Sequence, residues 1–248
     1  TKLVSEGRLS LDKTIADYLP DLVGKIENAD KITLRQMIRH RSGMPNFTDA
    51  PRFWEAPTET YEESLALILG KPANFEPGED YEYCNTNYLL INKIMDGELG
   101  VSNFEYIQEE ILNRLDLKKT YRSLSEVNID NVMSGYHVGY AFDLKTNDYG
   151  MHATAEDVGI FLRALNDDCL SGRKGTLFEP GEQDIYASIY ECEHSGWVPG
   201  YQSFANYHED IDAVVIQFYS TTDPHLYYWN LSEIINSRIG KILKKQKS

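Results

Sequence analysis

The spacing of apolar residues changes once along the chain, and that change limits the fold more than any other feature. Up to about Leu165 the apolar positions recur at helical intervals. Leu90, Ile91, Ile94 and Met95 form one stripe, Phe104, Ile107, Ile111 and Leu115 a second, and Val158, Phe161, Leu162 and Leu165 a third. Beyond it, Ile185 to Glu191, Tyr201 to Tyr207 and Ala213 to Ser220 read as strands, joined by connections short enough for an antiparallel meander. A closing helix follows, with Leu231, Ile234, Ile235, Ile239, Ile242 and Leu243 as its stripe. Helices, then strands, then a helix indicate an α+β fold in which helices flank an antiparallel sheet. The expected organisation is one domain over residues 1–248, α-rich over about 13–170, with the sheet and last helix over about 183–245.

Local punctuation sharpens this outline. The first residues, TKLVSEGRLSLD, read as the tail of a helix ended by Gly7, and Lys13 to Pro20 as a short helical piece stopped by Pro20. DLVGKIENAD is expected to be a polar connection. Thr33-Leu-Arg-Gln36 is a capping box opening a helix through Arg41, with Ser42-Gly43 as its left-handed exit, and Thr60-Tyr-Glu-Glu63 is another. Asn46 to Thr58, with its aromatics and prolines, reads as an ordered surface excursion. Ser102-x-x-Glu105 and Thr154-x-x-Asp157 open further helices, and short strands are expected around Gly135 to Phe142.

The content of 42% apolar and 12% aromatic residues in 248 is enough for a sizeable core. No apolar run approaches the ~18 to 20 residues of a membrane helix. A formal net charge of −15 argues against nucleic-acid partners, since a polyanion is repelled over most of the surface. The basic tail KILKKQKS is read as lysines complementing the carbonyl end of a terminal helix. The 3 cysteines, Cys84, Cys169 and Cys192, are too few and too irregularly spaced for a disulfide framework or a zinc knuckle, so they leave the redox compartment open.

Two short stretches could carry chemistry. In Tyr83-Cys84-Asn85, before an apolar helix, an extended backbone would point the phenol and the amide the same way and Cys84 elsewhere. The alternative is a rim aromatic beside an Asn helix cap. In HSGWVPGYQS, His194 and Ser195 precede Gly196, whose missing side chain would let a ligand approach the backbone, and the Trp197 N–H could face a developing oxyanion. The alternative there is a surface His before a Pro-Gly turn. Cys192, His194 and His208 could alternate onto one face, but no fourth ligand accompanies them and no metal is assigned. His40 is explained by the dipole at a helix C-terminus.

Taken in order, LVSEGRLSLDKTIADYLP, ITLRQMIRHRSGMPNF, FEPGEDYEYCNTNYLLINKIM, GMHATAEDVGIFLRAL and HSGWVPGYQS resemble the serine β-lactamase and penicillin-binding protein superfamily, in its class C β-lactamase, DD-peptidase and esterase branch. The resemblance implies a β-lactamase/transpeptidase-like fold and a serine hydrolase transferring acyl groups from a β-lactam, a D-alanyl peptide or a small ester, without cofactor. It implies that Tyr83 shuttles a proton, that Asn85 holds the substrate amide and the family's lysine, that His194, Ser195 and Gly196 border the substrate, and that the Trp197 N–H is an oxyanion donor. Its partners are then a small-molecule or peptide substrate, and its relatives point to the cell envelope or secretion.

The resemblance also places the S-x-x-K nucleophile on the order of ten residues before Thr1. Ser10-Leu-Asp-Lys13 and Ser171-Gly-Arg-Lys174 match the bare pattern but lie in polar connections. The expectation is therefore that the N-terminal helix and first strands of the family fold lie outside these residues, and that the chain alone is inactive. Without the lysine, Tyr83 stays protonated, since a phenol of pKa near ~10 needs a neighbouring cation to act as a base. An open sheet edge would further favour self-association or pairing with the N-terminal segment. A non-catalytic binding protein on the same scaffold is the competing expectation.

Overall fold

Helix α5, Asn85–Leu99, is wrapped by the rest of the first of two compact units, residues 1–106. Its Thr86, Asn87, Leu90, Ile91 and Ile94 are buried, and Leu90 and Ile94 meet Ile15, Ile32, Leu34, Met37, Met44 and Ile68 in one apolar cluster. Each fully buried aliphatic side chain contributes about 1.5 to 3 kcal/mol. The computed structural model describes residues 1–148, 150–169 and 193–247.

The helices around α5 are short, and local chemistry starts them. After α1, Lys2–Ser5, come α2, Ile15–Tyr18, α3, Leu34–Ile38, and α4, Tyr61–Ala66. Thr14 with Asp17, Thr33 with Gln36 and Thr60 with Glu63 form reciprocal capping boxes at the starts of α2, α3 and α4. Gly7, at φ 72°, ends the first helical piece as expected. Two expectations need correction. Helix α3 stops at Ile38, and His40 itself takes the left-handed conformation at φ 52°, two residues earlier than Ser42-Gly43. The stretch from Asp21 to Asp30 is no mere polar connection, because its Leu22, Ile26 and Ala29 lie in the core.

Past α6, Asn103–Ile107, and a π-turn over Gln108–Leu112, the second unit is described separately. Two short ribbons pair β1, Thr120–Tyr121, with β3, His152–Ala153, and β2, Tyr136–His137, with β7, Thr221–Thr222. Its main sheet runs β4-β5-β6 and is antiparallel throughout, over Glu193–Val198, Tyr201–His208 and Ala213–Tyr219. The strands expected near 201–207 and 213–220 are present, whereas Ile185 to Glu191 lies outside the described residues. Helix α7, Ala155–Cys169, packs on β5 and β6, and a methyl added at Gly159 would touch Ile216 at 3.6 Å. The Asp157 N–H donates to Thr154 Oγ1, and the Asp157 carboxylate accepts from the Lys119 N–H and the Thr120 hydroxyl, tying α7 to β1.

Helix α8, Tyr227–Lys247, covers the opposite face, with Trp229 on Phe204 at 4.8 Å and Gln217 bonded to Asn236. Its packing face corrects the reading of its stripe. Ser232 and Gly240 are buried, and a methyl at Gly240 would meet the His208 ring at 3.0 Å. Leu231, Ile234 and Ile242 are 52%, 51% and 55% exposed. Small residues let the helix lie close to the sheet, so its aliphatic stripe turns outward. The fold is α+β, with an antiparallel sheet between helices. No described helix is long and apolar enough to cross a membrane.

Candidate active site

The first unit builds the Tyr83-Cys84-Asn85 turn from a segment about forty residues earlier. Cys84 is extended, at φ −142° and ψ 112°, and its thiol enters the core, where burial pushes its pKa up. An extended residue points opposite to its neighbours, which leaves Tyr83 and Asn85 on the other side. Cys84 is the N-cap of α5 and makes no side-chain cap bond, so the exposed amides of the first turn need partners from elsewhere.

Asn46 supplies one of them, since its Oδ1 accepts the Asn85 N–H at 3.0 Å. The Asn85 side chain is therefore not the cap considered from sequence. Its Nδ2 donates to Thr48 Oγ1 at 3.1 Å and to Asn46 Oδ1 at 3.4 Å, and among the described residues its Oδ1 accepts no hydrogen bond. Thr86, fully buried, donates to the Pro45 carbonyl at 2.8 Å and accepts the Phe47 N–H at 3.1 Å. Residues Asn46 to Thr48, read as a surface excursion, are thus the scaffold that fixes Asn85.

Tyr83 is 53% exposed, and among the described residues its hydroxyl has no hydrogen-bond partner. Partial burial, with Tyr81 and Cys84 beside it, raises its pKa above the ordinary 10.0, so at neutral pH it is a proton donor. Its ring stacks on His40 at 4.2 Å and 25°, and His40 Nδ1 accepts the Cys84 N–H at 3.0 Å. The helix-dipole reading of His40 is superseded. No periodic pattern links residue 40 to residue 83, so sequence reasoning missed it.

In the second unit, His194, Ser195, Gly196 and Trp197 lie within β4, an outer strand of the described sheet, opposite Ala205, Phe204, Ser203 and Gln202. His194 and Ser195 are exposed, and the Trp197 ring meets His137 edge-on at 6.0 Å. A methyl at Gly196 would come within 2.6 Å of Ser203 Oγ on the neighbouring strand, so strand packing also disfavours a side chain there. Around Trp197, Thr222 Oγ1 accepts the Gly200 N–H at 2.6 Å and is hydrogen-bonded to His137 Nδ1 at 2.8 Å. Burial, opposed by Asp223, lowers the His137 pKa below 6.5, consistent with a neutral ring.

No cluster of three metal-ligating side chains occurs among the described residues, and Cys192, weighed as a ligand, lies outside them. Ser10 stands in the irregular stretch before the turn at Leu11 and Asp12, not at a helix mouth; its Oγ accepts the Asp12 N–H at 3.4 Å, and the Lys13 ammonium lies 5.4 Å over the Tyr18 ring. Ser171 to Lys174 lie outside the described residues.

Comparison with known proteins gives a consistent picture. Protein flp of Staphylococcus aureus (strain MW2) is 28% identical over 120 residues, 48% of this chain and 24% of that protein. The chain thus spans about a quarter of the length of the curated relatives it matches. D-amino acid amidase from Ochrobactrum anthropi SV3, solved with L-phenylalanine, superposes with a TM-score of 0.78 at 22% identity, covering 100% of this chain and 80% of that one. The penicillin binding protein from Bacillus halodurans gives 0.73 at 17% identity, covering 94% of this chain and 81% of that one. A family model described as Beta-lactamase matches residues 1–182, well over half of the 248, and the chain therefore belongs to the Beta-lactamase family.

Proposed function

We propose that the chain belongs to a serine hydrolase that transfers an acyl group through an acyl-serine. The observation that carries this reading is Tyr83: a half-exposed phenol with a free hydroxyl among the described residues, on a turn fixed from both sides. A phenol so held, with its pKa raised, is suited to give its proton to a departing amine or alcohol, whereas taking one from an entering nucleophile needs the phenolate that the family's lysine would stabilise. Asn85, its amide nitrogen anchored by Thr48 and Asn46, offers Oδ1 to a substrate N–H or to the family's lysine. In the second unit His194, Ser195 and Gly196 are assigned to the substrate-bordering strand and the Trp197 N–H to the oxyanion.

The substrate class proposed is a D-alanyl peptide, a D-amino acid amide or a small ester, ahead of a β-lactam. Support comes from the amidase and penicillin binding protein neighbours. It comes also from a His at residue 194, which is neutral more often than a Lys and attracts a substrate carboxylate less strongly. The nucleophile is assigned to an S-x-x-K other than Ser10-Leu-Asp-Lys13 and Ser171-Gly-Arg-Lys174. In residues 1–248 alone the raised Tyr83 pKa favours binding without turnover, the alternative reading for this chain.

The test is Tyr83→Phe in the gene product that carries S-x-x-K, assayed with D-alanyl peptide, D-phenylalanine amide and nitrophenyl ester. Loss of the proton shuttle lowers kcat on the order of 100-fold or more with little change in KM. Near-normal kcat would refute the assigned role.

A further inference from the structure

We infer that His40 is the positioning residue for Tyr83, and that it acts as a neutral ring with its proton on Nε2. The inference rests on the role proposed for Tyr83, but its geometry stands independently. His40 touches every residue from Glu82 to Cys84. Its backbone carbonyl accepts the Glu82 N–H at 3.0 Å, its ring stacks on Tyr83 at 4.2 Å, and its Nδ1 accepts the Cys84 N–H at 3.0 Å. The Asn87 amide nitrogen lies 3.4 Å from the same Nδ1.

These contacts demand one state of the ring. An amide N–H can donate only to an unprotonated nitrogen, so Nδ1 must carry its lone pair, which puts the proton on Nε2. Titratable groups beside the ring include Tyr83, Tyr88 at 5.4 Å, Tyr81 at 6.2 Å and the buried Cys84 thiol. Arg39 and Arg41 flank His40 in sequence; Arg41 is engaged on the Gly78 carbonyl, and Glu82 accepts from Asn74. With its hydroxyl unbonded among the described residues, Tyr83 has the His40 stack as its positional restraint, and the left-handed backbone at φ 52° turns the imidazole onto it. His and Asn are among the residues that tolerate this conformation.

The two contacts can be separated by crossed variants. His40→Asn keeps the backbone conformation and an acceptor but loses the ring, whereas His40→Phe keeps a ring and loses the acceptor. In the chain as it stands, long-range proton–nitrogen NMR of the wild type should show an Nε2–H ring at neutral pH with Nδ1 accepting the Cys84 amide. Cys84 amide exchange should rise about tenfold in His40→Phe and stay near wild type in His40→Asn. The alkaline titration of Tyr83, isolated by subtracting Tyr83→Phe, should fall toward that of a free tyrosine in His40→Asn and less in His40→Phe.

A wild-type ring protonated on Nδ1 would overturn the inference without any variant having to fold. So would variants that alter neither readout or alter both alike. In the S-x-x-K-bearing product, both variants should lower kcat on the order of 100-fold with KM changed less than about threefold. If that product shows no acyl transfer the proposed function fails, while the ring state and the exchange pattern still decide the role of His40.

Discussion

Replacing Thr86 by Val keeps the shape of a fully buried side chain and removes only its hydroxyl. That hydroxyl donates to the Pro45 carbonyl at 2.8 Å and accepts the Phe47 N–H at 3.1 Å, joining the mouth of α5 to the segment that holds Asn85. Leaving a buried polar group without its partner costs about 1 to 3 kcal/mol, and two backbone groups are affected. The gain from a more apolar side chain offsets part of this, so the net loss is about 2 to 4 kcal/mol, a large share of the roughly 5 to 15 kcal/mol that holds a protein folded. Urea unfolding of the first unit, followed by Trp54 fluorescence, should show a lower midpoint with an unchanged slope, and Phe47 amide exchange should quicken. Thr86→Ser, which keeps the hydroxyl, should lose about 1 kcal/mol or less. A change under about 0.5 kcal/mol in Thr86→Val, with Phe47 still protected, would refute the claim that these two bonds fix the turn.

Gly43 has φ 72°, and a methyl there would fall 2.0 Å from the Phe75 carbonyl oxygen. Gly43→Ala should cost about 3 kcal/mol or more in urea titration, and a wild-type midpoint would contradict it. Gly196→Ala should destabilise by about 1 kcal/mol by displacing the Ser203 hydroxyl. Ser203→Ala should restore the loss in a double-mutant cycle, because the remaining Cβ lies at an ordinary 3.9 Å; additive effects would show that the contact is not the cause. Burial raises the Asp223 pKa, but the amides of Tyr228, Tyr227 and His225 outweigh it and hold the carboxyl below 3.8. A depressed folded pKa stabilises above the unfolded value and is lost as pH falls through 3.8 toward the lower one, so circular dichroism should show acid loss of α8 that Asp223→Asn lacks in that window. The outward stripe of Leu231, Ile234 and Ile242 should make the chain self-associate in light scattering and Ile234→Lys should reduce it, whereas a monodisperse wild-type monomer would count against this.

What could be read from sequence was what neighbouring residues decide among themselves. Thr33 with Gln36 and Thr60 with Glu63 announced their helices because a capping box is closed within four residues. The strands beginning at Tyr201 and Ala213 were legible from their residue types and spacing. The support of the candidate site was not, since His40, Asn46 and Thr48 reach Tyr83 to Asn85 across 37 to 44 residues with no periodicity to mark the pairing. The stripe of α8 shows a different limit. Amphipathic spacing says that one face is apolar, but the closeness allowed by Ser232 and Gly240 decides which face meets the sheet. Gly196 was read as an opening for a ligand, and the strand neighbour that a side chain there would meet, Ser203 Oγ, was not legible because it lies on another strand.

The location of the nucleophile is tested most directly by intact-mass spectrometry after incubation with a fluorophosphonate. Residues 1–248 should keep their unmodified mass, while the longer product bearing S-x-x-K should gain one adduct, on the serine of that motif. An adduct on Ser10 or Ser171, or none on the longer product, would contradict the account.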